Sequence, residues 1–300
     1  MMKYVYLLLA VLFSLQFAVS AQTVKEDTYV DYNELLDRVL INLKKTQSEK
    51  AFVGSAELRN QTLALAPDSK AAIKSLPKPG KKELKGSQLF KARKDGVLMI
   101  CKYFKAEEGK PERIQLYATA TAITADGVCV SNWHVFMNFI SFKANLPPAD
   151  SLTFVVNLKG DIYPIEKILA YNQNADAAVF KINTGNDELK PIPLGSDLEV
   201  GESVHTITNP ENYLYYYSKG VVARNTADHK IGPMGDRMEI TADYAKGSSG
   251  GPILDDRGNM VGMVSTTHSI YAQNQPQGNL QMVIKTTIPV RSIRSLIQLQ

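Results

Sequence analysis

The sequence predicts an all-β protein of two six-stranded antiparallel β-barrels, with an N-terminal helical extension and a short C-terminal helix. Two observations carry this expectation. From Gly96 onward, short runs rich in β-branched and aromatic residues recur with turn residues between them. The segment Pro191-Ile192-Pro193-Leu194-Gly195 splits those runs into six and six, which suits two small barrels. The chain is 44% hydrophobic and 21% charged, an ordinary globular balance.

Residues 1–21 read as a secretory signal peptide. Lys3 supplies the positive start, Tyr4 to Val19 the apolar core, and Val19-Ser20-Ala21 a small-residue cleavage site before Gln22. Ser14 and Gln16 interrupt the apolar run, which argues against a retained membrane span. No cysteine stands at the cleavage point for a lipid anchor. The expected location is therefore periplasmic or extracellular, with no stable membrane anchor. The net charge of +4, from 34 basic and 30 acidic residues, is too small to argue for a nucleic-acid partner.

Residues 22–94 do not have the pattern of a barrel. Asp31-Tyr32-Asn33-Glu34 has capping-box spacing, and Leu36, Val39, Leu40 and Leu43 recur on one face, predicting a helix over about 31–46. The Lys-, Pro- and Gly-rich stretch Leu76–Lys85 reads as a linker. The helix is expected to pack on the back of a barrel; a docking or inhibitory role is the alternative. Asn60-Gln61-Thr62 matches a glycosylation acceptor.

Residues 95–190 hold the runs of the first barrel: Val97–Phe104, Gln115–Thr124, Val128–Ser131, Leu152–Leu158, Ile162–Ala170 and Ala177–Ile182. Residues 191–300 hold those of the second: Ser203–Thr208, Tyr213–Arg224, Arg237–Ala242, Pro252–Leu254, Met260–Ser265 and Leu280–Lys285. A helix from near Pro289, with Val290, Ile293 and Ile297 on one side, closes the chain. Cys101 and Cys129 both fall in first-barrel strands; one disulfide and two buried thiols are both open readings. They are too few for a metal site.

The chemistry concentrates in Ala245-Lys246-Gly247-Ser248-Ser249-Gly250-Gly251-Pro252. A serine hydroxyl is a weak nucleophile until a base takes its proton and donors hold the developing oxyanion. Gly247 lacks a Cβ, so the backbone N–H groups of Gly247 and Ser249 are free to turn inward as that donor pair. His134 stands at the end of the apolar run Val128–Ser131, where a rigid sheet projects a base into a cleft. Asp176 stands at the mouth of the run Ala177–Ile182, and an acid entering a buried strand needs a partner.

Together these segments resemble the chymotrypsin-fold serine peptidases, whose template runs His, Asp, Ser in chain order in the chymotrypsin case. Ser131-Asn132-Trp133-His134 fits the family's histidine motif, and Asp176-Ala177-Ala178 fits its aspartate motif except for the small second residue. Gly247 to Pro252 fits Gly-x-Ser-Gly-Gly-Pro. The resemblance covers about residues 95–298 and is nearest to the bacterial HtrA/Deg and glutamyl-endopeptidase-like branches. No PDZ-like module is expected, since the sequence stops at Gln300.

The resemblance implies that Ser249 is the nucleophile, His134 the general base and then acid, and Asp176 its orienter. It implies an oxyanion held by the N–H groups of Gly247 and Ser249, a peptide or protein substrate, and no metal or organic cofactor. Ser248 stands where the activated digestive enzymes carry an aspartate, so no salt bridge to a new N-terminus is expected. Asp243 is a candidate acid for a basic P1 pocket, and Ser265, Thr266 and Thr267 candidates for the substrate edge. His205 reads as structural, and His229 and His268 as loop residues. The competing function is a catalytically silent peptidase-fold binding module; in a third, the N-terminal helix is the functional element. Substrate preference and oligomeric state are not legible.

Overall fold

The computed structural model describes residues 29–66, 69–140, 152–272 and 278–300. The expected signal peptide lies outside the described residues.

The N-terminal segment holds α1 (Tyr32–Glu49), α2 (Ser55–Leu63), β1 (Ala71–Ile73) and α3 (Gly86–Arg93). The buried stripe of α1 is Leu35, Val39 and Leu43, spaced one turn apart. It is rotated from the expected face, and Leu36 and Leu40 remain half-buried. α2 has no strong amphipathic signal, and the sequence did not suggest it. It carries the Asn60-Gln61-Thr62 tripeptide, whose threonine is fully buried and bonds the Leu58 carbonyl. The stretch read as linker is followed closely by α3, and it fastens to the far barrel. Gly80 exchanges two hydrogen bonds with the Asn259 side chain, and Leu84 N–H donates to the Asp256 carbonyl.

The first barrel comprises β2 (Val97–Phe104), β3 (Arg113–Ala122), β4 (Val128–Ser131), β5 (Leu152–Val156), β6 (Ile162–Asn172) and β7 (Ala177–Ile182), with α4 (Met137–Ile140) after β4. It closes in the order β2-β3-β4-β7-β6-β5. The second comprises β8 (Ser203–Thr208), β9 (Tyr216–Thr226), β10 (Arg237–Ile240), β11 (Pro252–Leu254), β12 (Met260–Tyr271) and β13 (Leu280–Pro289), closing as β10-β13-β12-β11-β8-β9. Every described contact between barrel strands is antiparallel, so this is the double-barrel, chymotrypsin-like architecture.

The C-terminus departs from expectation. α5 (Val290–Ser295) ends early, and Ile297 lies in β14 (Ile297–Leu299), which pairs in parallel with β1. Ala71 N–H takes the Leu296 carbonyl at 2.8 Å, so a ladder partner replaces the next helical turn. Cys101 and Cys129 are free, buried thiols. They lie on β2 and β4 with β3 between, and two strand spacings of about 4.8 Å exceed the span of a disulfide.

Candidate active site

Three chain segments meet at the junction of the barrels. β4 ends at Ser131, and Trp133–Phe136 winds into a 3₁₀ turn that presents the His134 ring. The residues after the ring, Val135, Phe136, Phe139 and Ile140, are buried in the first-barrel core, which fixes the turn by packing. The loop before β7 brings Asp176 beneath that ring, with its backbone at φ 51° in the left-handed region. Aspartate tolerates that region better than most residues, and such strain collects at functional sites.

His134 Nδ1 lies 2.9 and 3.0 Å from the two Asp176 carboxylate oxygens, and Nε2 lies 3.0 Å from Ser249 Oγ. The carboxylate also accepts from the His134 backbone N–H at 3.1 Å, the Asn132 amide at 3.1 Å and the Ser265 hydroxyl at 2.7 Å. Burial by itself raises the Asp176 pKa. The hydrogen bonds from His134 and Ser265, with the imidazole's charge, outweigh it and hold the carboxyl below the ordinary carboxylate range.

Ser249 sits in a loop shaped by its glycines. Gly247 has φ 93°, and a Cβ there would lie 2.6 Å from the Asn209 carbonyl oxygen. Gly250 has φ 86°, and a Cβ there would collide with the Thr119 carbonyl and the Ser131 hydroxyl. Across the barrel junction, Thr119 N–H donates to the Ser249 carbonyl at 2.8 Å. The Thr119 hydroxyl bonds the Gly247 carbonyl at 2.9 Å and the Thr121 hydroxyl the Gly250 carbonyl at 3.0 Å. Ser248 is fully buried and donates to the Thr208 hydroxyl at 3.1 Å, a neutral bond at the position considered for a salt bridge.

Residues 118–263 match the family model described as a trypsin-like peptidase domain. Curated proteins similar to this chain include Do-like and DegP-like proteases. Protease Do-like 5, chloroplastic, from Arabidopsis thaliana is 32% identical over 57% of this chain and 54% of its own length. Protease Do-like 1, chloroplastic, from the same plant is 31% identical over 48% of this chain and 31% of its own. The probable periplasmic serine endoprotease DegP-like of Brucella suis is 28% identical over 53% and 29%. The chain thus spans about a third to a half of the length of these relatives. Among solved structures, Deg5 aligns with a TM-score of 0.51 and 23% identity over 69% of this chain and 90% of that one. The HtrA-type protease AlgWS227A with decapeptide gives 0.52 and 16% over 69% and 64%. Both likenesses are of fold.

Within the second barrel and its loops the remaining candidates separate. Asp243 is exposed and its carboxylate is paired with the Lys285 ammonium at 2.6 Å, so a cation of the chain itself already satisfies it. Ser265 faces Asp176 because it is the extra residue of a β-bulge: Val264 pairs with Thr287 and Thr266 with Thr286. The Tyr244 hydroxyl reaches both carbonyls at that bulge, Thr266 at 3.0 Å and Thr286 at 2.8 Å. Thr266 and Thr267 are exposed on the same strand. His205 is buried between the Tyr217 hydroxyl and Asp256, His229 lies in an exposed turn, and His268 is in β12, not a loop.

Sequence reading missed the threonines of β3. In Ala118-Thr119-Ala120-Thr121-Ala122 the alternation was visible: the alanines enter the core and the threonines face the serine loop. It also missed Arg59 of α2, whose guanidinium donates to the Asn138 carbonyl at 3.0 and 2.6 Å, just beyond the histidine turn.

Proposed function

We propose that this chain is an exported serine endopeptidase that cuts peptide or protein substrates through an acyl-enzyme. The observation that carries the reading is an unbroken relay from Asp176 through both nitrogens of His134 to Ser249, with each contact at 2.9–3.0 Å.

With Nδ1–H donated to the carboxylate, the Nε2 lone pair accepts the Ser249 proton as Oγ attacks the carbonyl carbon. The N–H groups of Gly247 and Ser249 hold the resulting oxyanion; in subtilisin, a serine peptidase of unrelated fold, one oxyanion donor is worth about 10²–10³-fold in rate. As the tetrahedral centre collapses, Nε2–H gives its proton to the departing amine. Water, deprotonated by the same nitrogen, then attacks the ester and releases the acid while Ser249 recovers its proton. This route uses no metal or organic cofactor. The acyl-side main chain runs along the edge of β12 at Thr266 and Thr267, as an added strand. A basic P1 preference is not part of the reading, because Lys285 occupies Asp243.

Export rests on the sequence of residues 1–21 and on the periplasmic relative; no helix among the described residues is long and apolar enough to cross a membrane. N-terminal sequencing of exported protein should begin at Gln22. For the chemistry, a fluorophosphonate should label Ser249 in the wild type and not in His134→Ala. An unlabelled wild type that still binds peptides would establish the silent binding module instead.

A further inference from the structure

A groove of about 1020 Å³ opens beside the serine loop, walled by α1 on one side and β3 on the other. Gly247, whose N–H is the proposed oxyanion donor, is part of its lining, so the groove is continuous with the reacting centre. β12, which carries Thr266 and Thr267, joins the other end of the serine loop, where Gly250 N–H donates to the Val264 carbonyl and Val264 N–H to the Gly251 carbonyl. A polypeptide whose acyl half follows β12 must send its leaving half across Gly247, toward α1.

The walls suit that half. Leu36 and Leu40 are one turn apart on α1 and only half-buried, although Leu35, Val39 and Leu43 on the same helix are fully buried. The charges in the lining are mixed: Asp37 and Glu211 with Arg113 and Lys246. The Asn42 side chain donates to the Gly160 carbonyl at 2.8 Å, which also fixes α1 to the first barrel. On β3, Ile100 pairs with Ala118 and Cys101 with Leu116, so Tyr117 is the extra residue of a bulge. Bulges re-aim side chains near active sites, and this one puts Tyr117 into the groove lining. Lys102 sits 3.4 Å from the centre of the Tyr117 ring and holds it. Asp37 is exposed on α1 between the two leucines and lines the same groove.

We propose that the groove between α1 and β3 binds the leaving-side half of the substrate polypeptide, taking an apolar side chain against Leu36, Leu40 and Tyr117. This rests on the peptidase reading above. The N-terminal segment thereby becomes part of the substrate site.

The test is cleavage of a mixed peptide library, degenerate on both sides of the cut, with products read by mass spectrometry. The wild type should enrich aliphatic and aromatic residues at one position after the cut. Leu36→Ser/Leu40→Ser should reduce that enrichment by about tenfold while keeping the preferences before the cut. Asp37→Lys, an exposed change that leaves packing alone, should shift the residues accepted after the cut toward acidic ones. Selective cleavage before the cut with none after it, or variants whose profile after the cut equals the wild type's, would overturn the groove and leave the peptidase standing. A library left uncut by a wild type whose Ser249 is not labelled by fluorophosphonate would overturn both.

Discussion

The two barrels hold their halves of the site by different means. In the first, His134 is placed by packing: Val135, Phe136, Phe139 and Ile140 are buried in one core with Leu58 of α2. That core therefore draws on a helix outside the barrel, and Arg59 beside it ties α2 to the Asn138 carbonyl. In the second, Ser249 is placed by backbone conformation, through two glycines at positive φ and carbonyls held by Thr119 and Thr121. Among the described residues, the second-barrel cluster of Val204, Val222, Met238, Ile240, Ile253 and Val261 contains none from the N-terminal segment. The His134 side should therefore fail through cavities, and the Ser249 side through Cβ atoms and lost hydroxyls.

The largest effect belongs to the chemistry itself. Ser249→Ala should lower peptide turnover by about 10⁶-fold, as for the nucleophile of subtilisin, with an unchanged circular dichroism spectrum. Measurable wild-type turnover in that variant would remove the serine from the mechanism. Gly250→Ala adds only a methyl group, yet places it against the Thr119 carbonyl and Ser131 hydroxyl at φ 86°. Displacing the loop by about 1 Å should cost on the order of 10²-fold in kcat/KM. Full activity would mean that the loop is less constrained than its glycines indicate. On the other side, Leu58→Ala should destabilise the protein by about 2–5 kcal/mol in denaturant unfolding. A change near zero would break the comparison, because α2 would then be an ornament of the barrel and not part of its core.

The same contrast explains what was legible in the sequence. Alternation and turn residues gave the barrel strands closely, since each strand buries one face of a local, period-two pattern. The serine loop was legible because its conformation requires glycine, and glycines at fixed spacing are visible. α2 was not, because its weak amphipathic pattern becomes meaningful only once α4 and β6 are beside it. The partial burial of Leu36 and Leu40 depends on how α1 lies on the barrel, and Lys285 on Asp243 depends on β13 pairing across the sheet. The role of Ser265 needed the β-bulge, which is a fact of register between two strands and not of either one.

A smaller effect concerns acid. Asp176 binds its proton less readily when folded than when unfolded, because His134 and Ser265 hold the ionised form. Its folded pKa is depressed, so the stability it contributes is fully present above the unfolded value of about 3.9 and is lost as pH falls through the folded one. Asp176→Asn removes that contribution. The gap in unfolding free energy between wild type and variant should therefore be constant near neutrality and narrow below about pH 4. A gap independent of pH down to acid unfolding would mean that the carboxylate network is no stronger in the native state.

The smallest expected effect tests the first barrel from within. Burial pushes the Cys101 thiol up to about 12 and raises Cys129 as well, so neither supplies a thiolate at neutral pH. Iodoacetamide should label neither in the native protein and both after unfolding, and reductant should leave the thermal midpoint unchanged. Labelling of Cys129, which shares its core with Leu58, would show without unfolding that the first barrel opens locally. Because Leu58 packs into the same core, such opening should increase in Leu58→Ala and be indifferent to Gly250→Ala, which strains only the backbone at the serine loop.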